Sequence, residues 1–346
     1  MLKISVNRLG ELYAALSSLS ALYLPLEHGS QVLFERWRAD ARVRLDALNA
    51  AKSPKELFFP QSENLMAFKR EGKKIEILES RDDNEIFTIF GVRACDAAAL
   101  AVLDRVFLSE PADGYYQNRR HNGTVITLAC CAPEETCFCT AFGIDPLHPG
   151  GDISTHIAGD TLYWNILTPK GHALTEKVAA LFEDADASDE EALAVSEEKT
   201  EAILRQLPYG KLNLTGWDDE HTLEKFNSPL WESLSQSCLG CGTCTFVCPT
   251  CQCYDIRDYD TGHGVKRYRC WDSCMYSEFT KMAGGNPRLT QKERFRQRFM
   301  HKLVYFPANN EGVYGCVGCG RCLAKCPVSM NIVKVVKTIG GTHHEE

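Results

Sequence analysis

The stretch "CLGCGTCTFVCP" at residues 238–249 carries four cysteines, and nearly the same spelling, "CVGCGRCLAKCP", returns at residues 316–327. Each run has the form C-x2-C-x2-C-x3-C-P. Three cysteines at three-residue steps can surround one face of a cubane iron–sulfur cluster, whereas the fourth lies too far along the chain to close the same cluster. Two zinc sites are the alternative, but they fit this spacing less well, because structural zinc sites combine short C-x2-C pairs.

The fourth cysteine of each run is predicted to bind the cluster of the other run, as it does in two-cluster ferredoxins with this spacing. One predicted [4Fe–4S] cluster is held by Cys238, Cys241, Cys244 and Cys326. The other is held by Cys316, Cys319, Cys322 and Cys248. The glycines between the ligands allow backbone N–H groups to approach the sulfides closely. This doubled motif is the strongest signal in the sequence.

The composition favours a protein of the cytoplasm that is built from two domains. The chain has 346 residues and a formal charge of −8, and this acidic balance argues against nucleic-acid binding. No apolar run is long enough for a membrane span, and the N-terminus lacks the features of a signal peptide. A reducing compartment makes a disulfide framework unfavourable, so the seventeen cysteines indicate metal ligation.

The predicted fold class is α+β, with a mixed α/β domain at residues 1–215 and an α-helical dicluster ferredoxin domain at residues 216–346. In the first domain, "ACDAAALAVLDRVF" predicts a helix and "GTVITLACC" a buried strand. "HIAGDTLYWNIL" predicts a hairpin that turns at Gly159 and Asp160. In the second domain, Gly284, Gly285 and Pro287 are expected to divide the segment between the cysteine runs into two helices.

Two segments carry charge of one predominant sign. Residues 183–201 are acidic, and residues 288–302 hold six Lys or Arg side chains against one Glu. A solvated helix face is the default interpretation of each segment. The alternative is a docking surface for a partner of opposite charge.

Four cysteines outside the doubled motif form a second predicted constellation: Cys95, Cys130, Cys137 and Cys139. Cys95 lies where a predicted strand meets a predicted helix, and Cys130 ends the next predicted strand. In a doubly wound sheet such strand ends lie close together, so these thiols could converge on a metal. Their spacing fits buried free cysteines equally well. Cys131 is then a spare thiol or a substitute for Cys130.

The segments "GVRACDAAAL", "CFC", "CPTCQC", "WDSCM" and "MAGG" together resemble the iron–sulfur electron-transfer component of anaerobic sulfite reductases. The beta subunit of cytoplasmic sulfhydrogenases, which are nickel–iron hydrogenases, is similar. The resemblance covers about residues 86–330, and the combination is more specific than any one segment.

The resemblance implies an electron-transfer subunit of an oxidoreductase complex. Its partners would be a flavin subunit that oxidises NAD(P)H and a catalytic subunit that carries siroheme or nickel–iron. It also favours a third [4Fe–4S] cluster at Cys95, Cys130, Cys137 and Cys139. For Cys251, Cys253, Cys270 and Cys274 we favour packing, or contact with the cluster ligands, over direct metal binding.

No fingerprint of another cofactor is present in the sequence. There is no G-x-G-x-x-G motif after a strand and no P-loop. We therefore expect no flavin or NAD on this chain and no catalytic residues. The alternative is a stand-alone iron–sulfur reductase of the thiol or disulfide type that uses "CPTCQC".

These assignments predict the metal content of protein purified without oxygen. Three cubanes bring about 12 iron atoms per chain, and the doubled motif alone brings about 8. Iron and acid-labile sulfide assays measure this number directly. Zinc as the main metal would refute both the doubled-motif assignment and the third cluster.

Overall fold

The computed structural model of the chain describes residues 1–78, 81 and 83–340. The strands are β1 Leu2–Ser5, β2 Ala21–His28, β3 Gln31–Arg36, β4 Ser62–Glu71, β5 Lys74–Leu78, β6 Phe87–Val92, β7 Gly123–Leu128, β8 Ile153–Ala158, β9 Thr161–Ile166, β10 Glu183–Asp184, β11 Tyr254–Asp260 and β12 Val265–Trp271. The α-helices are α1 Leu9–Leu19, α2 Lys55–Phe58, α3 Ala94–Phe107, α4 Gly114–Asn122, α5 Pro169–Val178, α6 Ala187–Gln206, α7 Thr222–Asn227, α8 Leu230–Gln236, α9 Thr243–Phe246, α10 Gln291–Met300, α11 Phe306–Ala308, α12 Arg321–Lys325 and α13 Ile332–Gly340.

An eight-stranded sheet in the order β10-β1-β9-β8-β7-β6-β2-β3 forms the centre of the N-terminal part. Its four middle strands, β2, β6, β7 and β8, run parallel, and the flanking strands pair antiparallel. Every residue of β6 and β7 is buried, as continuous apolar runs in a parallel sheet require. The predicted helix "ACDAAALAVLDRVF" coincides with α3, and the predicted hairpin turns at Gly159 and Asp160.

The two faces of this sheet pack against different hydrophobic layers. Phe90 and Ile126 join the side chains of α1 on one face. Their neighbours Ile89 and Val125 point to the other face and join α3. The alternation follows from the two-residue period of a strand. Cys95 and Cys130 follow soon after the carboxyl ends of β6 and β7 in the sequence.

A second sheet has the order β11-β12-β4-β5 and combines distant parts of the chain. The hairpin β11–β12 lies between the two cysteine runs, and β12 pairs antiparallel with β4. A buried ion pair between Glu63 on β4 and Arg269 on β12, 2.5 Å apart, stabilises this strand pairing. The sheet therefore joins segments on both sides of the predicted boundary near residue 215.

The expectation of a mostly helical segment between the cysteine runs was wrong. Residues 254–271 form the hairpin, residues 277–290 contain no helix, and the first helix of the segment, α10, begins only at Gln291. The signal for the hairpin was present, because "YDIRDYD" and "VKRYRCW" are rich in Tyr, Ile and Val, which favour strands. Gly262 and Gly264 adopt positive φ in the turn between them.

The C-terminal part packs α8, α10 and α13 around an aromatic and aliphatic core. Trp231, Phe295, Phe299 and Val336 are among its buried side chains. The predicted combination of an α/β part and a helix-containing dicluster region is confirmed. In the described residues, no helix is long and apolar enough to cross a membrane.

The acidic segment at residues 183–201 contributes most of α6, whose side chains are largely exposed. Asp186 and Asp189 form a capping box at the start of this helix, and Lys3 pairs with Asp189 at 2.6 Å. Part of the acidic charge therefore stabilises the helix terminus and its attachment to β1. This agrees with the solvated-face interpretation of the segment.

Candidate metal centres

The two cysteine runs repeat the same backbone arrangement. In the first run, Gly240 and Gly242 adopt left-handed φ values of 66° and 72°, and α9 follows. In the second run, Gly318 and Gly320 have φ values of 58° and 77°, and α12 follows. The duplicated sequence therefore specifies a duplicated loop, in which two left-handed glycines turn the chain around the cysteines.

The second run gathers its predicted ligands in one narrow cavity. Cys316, Cys319 and Cys322 line this cavity, and so does Cys248 from the first run. The structure thus brings together the four cysteines that the spacing assigns to one cluster, including the crossed one. Burial raises the pKa of Cys316 and raises that of Cys319 to about 12. Metal binding at these thiols must therefore displace protons.

The first run gathers the other predicted set nearer to the surface. Burial raises the pKa of Cys238, and the nearby thiols of Cys244, Cys241 and Cys326 raise it further. Cys241 is exposed, and a hydrogen bond from the Thr243 hydroxyl lowers its pKa. Backbone N–H groups already point at the sulfurs: Gly240 donates to Cys238 at 3.4 Å, and Met330 donates to Cys326 at 3.2 Å.

Two buried cations lie beside both sets of cysteines. Arg298 and Lys302 are 2% and 5% exposed, and both line the cavity of the second run. Lys302 donates to the Thr250 hydroxyl and to the Gly315 carbonyl. Nε and Nη1 of Arg298 have no hydrogen-bond partner in the described residues. Burial alone would lower the pKa of Arg298, but Cys244 and Cys322 raise it above its ordinary value.

These cations indicate what the cavity is built to hold. A buried charge without a counter-charge is costly, and neither Arg298 nor Lys302 forms an ion pair with a described carboxylate. A thiolate-ligated iron–sulfur cluster is anionic and would supply the missing negative charge. The residues therefore fit the predicted cofactor in ligand type and in charge.

The sequence prediction of a solvated face for residues 288–302 was wrong at Arg298 and Lys302. Phe295, Arg298, Phe299 and Lys302 follow the spacing of a buried helix stripe, and all four are buried. Two cations on the apolar stripe were the signal that could have identified them. Arg296 lies off this stripe and stacks on the ring of Phe226 at 3.5 Å.

The third set of cysteines is also brought together, at the carboxyl edge of the central sheet. Cys95, Cys130, Cys137 and Cys139 are each only 7–8% exposed. Burial raises the pKa of Cys130 to about 11, of Cys137 to about 11 and of Cys139 to about 12. The thiols of Cys130 and Cys137 lie close enough to Cys139 to raise its pKa further. Cys131 is exposed and its thiol faces the Ile157 carbonyl at 3.6 Å, as expected of a spare cysteine.

The loop of the third set docks onto the second run. The Phe138 N–H group donates to the Gly318 carbonyl at 2.9 Å. A Cβ atom at Gly318 would collide with the backbone of Phe138 and Cys139, and one at Gly320 with the backbone of Thr136. Only glycine permits this approach. It places Cys319 close enough to Cys95 and Cys137 to contribute to the raised pKa of each thiol. The second and third cysteine sets are therefore direct neighbours.

The remaining cysteines differ from one another. Cys251 donates a hydrogen bond to Cys248, which lowers the pKa of Cys248 well below its ordinary value. Cys253 and Cys274 contact each other, whereas Cys270 lies on β12 beside Asp255.

All seventeen cysteines are free thiols. In the described residues, no three His, Cys, Asp or Glu side chains converge tightly enough for a single metal ion. A cubane has no such requirement, because each ligand binds a different iron atom.

Comparison with known proteins agrees with this geometry. Residues 237–330 match the family model of a 4Fe-4S dicluster domain. They define an iron–sulfur protein whose dicluster domain holds two [4Fe–4S] clusters. The sulfhydrogenase 2 subunit beta of Pyrococcus furiosus is 33% identical over 331 residues, which cover 95% of each chain. The chain therefore belongs to the family of sulfhydrogenase beta subunits. No solved structure matches it.

The crossed ligation makes a prediction across the duplication. Cys326→Ala should damage the cluster of Cys238, Cys241 and Cys244, because Cys326 lies beside Cys238. Electron paramagnetic resonance should detect an altered signal or a three-iron form from that cluster. A change confined to the Cys316 cluster would show that the crossed assignment is wrong.

The buried guanidinium makes a second prediction. Arg298→Met removes a positive charge between the two runs, which makes adding an electron to either cluster less favourable. Midpoint potentials in a redox titration should fall on the order of 100 mV, about 2 kcal/mol, for a charge acting at an effective dielectric constant of about 20. Arg298→Lys should retain most of the potential, and Arg296→Met is the matched control on the same helix. Equal potentials in Arg298→Met and wild-type protein would contradict the electrostatic role.

Proposed function

We propose that this chain is the electron-transfer subunit of a cytoplasmic multisubunit oxidoreductase. It passes single electrons between a flavin subunit that oxidises NAD(P)H and a catalytic subunit. In this proposal, three [4Fe–4S] clusters carry the electrons. Cys95, Cys130, Cys137 and Cys139 hold the third cluster, and the two runs hold the others in the crossed arrangement.

The continuity of the three cysteine sets is the observation that supports this proposal. The loop of Cys137 and Cys139 lies directly on the Gly318 loop of the second run. Arg298 lies close enough to Cys322 of the second run and to Cys244 of the first run to interact with both. The order is therefore third set, second run, first run, with no other domain between them. Such a sequence of neighbouring sites suits a path for single electrons.

The chain's own residues would prepare this path in two ways. When bound, the clusters supply one-electron carriers whose potentials depend on burial, charge and hydrogen bonds. Arg298, Lys302 and Arg321 are all at least 95% buried and place positive charge next to the sulfurs. The loops at Gly318 and Gly320 bring the second and third sets into direct backbone contact.

The partners follow from the chemistry of the electron donor. NAD(P)H delivers a hydride, so a flavin must divide its two electrons before single-electron carriers can accept them. The sequence has no dinucleotide fingerprint, and the proposal therefore assigns the flavin to a partner. The relative is named a sulfhydrogenase subunit, which favours a nickel–iron catalytic partner over a siroheme one.

The two predicted domains would then contact different partners. Residues 1–215, with the third cluster, would dock one of them, and residues 216–346 would face the other. The exposed Cys241 puts the first run near the surface of the second part, where electrons can leave or arrive.

The proposal predicts that NADH alone leaves the clusters oxidised. Mixing the anaerobic, cluster-loaded chain with NADH should leave its visible absorption unchanged, whereas adding the flavin subunit that co-purifies with it should bleach that absorption. The measurement is absorbance near the cluster band over time, with the flavin subunit lacking NADH as the control. Direct reduction of the chain by NADH, with no flavin present, would contradict the proposal.

A further inference from the structure

The base of the β11–β12 hairpin brings together two cysteines that the predicted clusters do not use. Cys253 directly precedes β11, and residues 272–274 directly follow β12. Tyr254 pairs with Trp271, and the Asp272 N–H group donates to the Cys253 carbonyl at 2.9 Å. The strand register therefore holds Cys253 beside the segment that ends in Cys274.

The side chain of Cys274 lies next to that of Cys253, and both side chains are partly buried. The thiol hydrogen bond from Cys274 lowers the pKa of Cys253 to about 7, while the same hydrogen bond and burial raise the pKa of Cys274 well above its ordinary value. One thiolate beside one thiol is the arrangement from which thiol–disulfide exchange starts, because the thiolate is the nucleophile.

The pair also lies next to the proposed electron path. Cys251 interacts with Cys253 on one side and donates its thiol hydrogen to Cys248 on the other. Cys248 lines the cavity of the second run. Lys302, which lines the same cavity, lies close enough to lower the pKa of Cys253. A few side chains therefore separate the Cys253–Cys274 pair from the second cluster position.

We propose that Cys253 and Cys274 form a redox-active dithiol that reduces small external disulfides. The Cys253 thiolate attacks one sulfur of the external disulfide and forms a mixed disulfide, releasing the first external thiol. Cys274 then attacks Cys253 and releases the second thiol, which leaves a Cys253–Cys274 disulfide. Two electrons thereby pass from the pair to the external molecule; Cys274 supplies one of the two protons that the released thiols take up, and solvent supplies the other.

The thiolate and thiol are restored when the disulfide accepts two electrons and one proton. The electrons would arrive singly from the reduced second cluster, and the proton would come from solvent. The pair would thus convert one-electron transport into two-electron chemistry. This inference rests on the proposed function only for the clusters as the source of electrons.

The test uses the cluster-loaded chain, reduced chemically and then freed of excess reductant without oxygen. Adding bis(2-hydroxyethyl) disulfide should reoxidise the clusters of wild-type protein, with two electrons withdrawn for each disulfide cleaved. Cys274→Ser and Cys253→Ser should lose at least nine-tenths of this rate. Cys270→Ser is the matched control, because Cys270 lies on the adjacent strand with Asp255 as its pairing neighbour, and it should behave as wild type.

A second measurement separates this role from metal ligation. Mass spectrometry after rapid acid quenching and alkylation should find Cys253 linked to Cys274 in oxidised wild-type protein, and the iron content of both variants should equal that of wild type. Loss of about four iron atoms in Cys274→Ser would assign the pair to a cluster and overturn the proposal. An unchanged rate in both variants would overturn it as well.

The same design distinguishes this inference from the proposed function. The reductant is chemical, so no flavin partner takes part in the reaction. If the flavin subunit fails to reduce the chain while disulfide cleavage still depends on Cys253 and Cys274, the proposed function fails and the dithiol stands. If the flavin subunit reduces the clusters and both variants cleave the disulfide as fast as wild type, the dithiol fails alone.

Discussion

The buried ion pair between Asp96 and Arg321 joins the two halves of this molecule, and the arrangement of its cysteines depends on it. Two hydrogen bonds of 2.6 and 2.7 Å connect the carboxylate to the guanidinium, and both side chains are 2–3% exposed. Asp96 follows Cys95 in α3, and Arg321 precedes Cys322 in α12. Arg321 also donates to the Ala50 carbonyl. Removing one partner of such a pair typically costs about 3–5 kcal/mol, because the other charge is left buried and alone. The pair therefore fixes which part of the N-terminal sheet meets the second cysteine run, and with it the close approach at Gly318.

The interior next to Cys248 is suited to negative charge. Lys55 is 3% exposed, donates to the carbonyls of Cys248 and Cys251, and lies over the ring of Trp271. Burial lowers the pKa of Lys55 to about 8. Together with Arg298 and Lys302 it forms a cationic lining that the described carboxylates do not neutralise. An anionic cluster would neutralise it, so cluster binding should contribute directly to the stability of the fold. The same buried cations therefore destabilise the fold without metal and stabilise it when an anionic cluster is bound.

The parts of this structure that could be predicted from the sequence are those specified by a short stretch of neighbouring residues. The doubled run carries its ligand spacing within eleven residues, and α3 and the hairpin at Gly159 depend on periodicity that a short window contains. The β11–β12 hairpin was missed because the whole segment between the two cysteine runs was expected to be helical. That expectation was given more weight than the strand-forming residues of the hairpin. Its pairing with β4 joins residues about two hundred positions apart, which no local pattern encodes. Arg298 and Lys302 were assigned to solvent because charge usually is exposed, and only the identity of the group they face reverses that expectation.

The pairing of β12 with β4 and the predicted crossed ligation also imply an order of events during synthesis. Cys95 and β4 leave the ribosome long before Cys326 exists. At about 5–20 residues per second, the intervening 231 residues take roughly 10 to 50 seconds. For most of that interval β4 has one vacant edge, because β12 emerges only at residues 265–271, and the first run lacks its predicted fourth ligand until Cys326 is made. If the crossed assignment holds, iron and sulfide can be installed fully in the first run only after Cys326 has emerged. Vulnerability to oxygen and to mispaired strands is therefore greatest in the newborn protein, whereas in the mature one β12 covers the edge of β4 and Cys95 is buried.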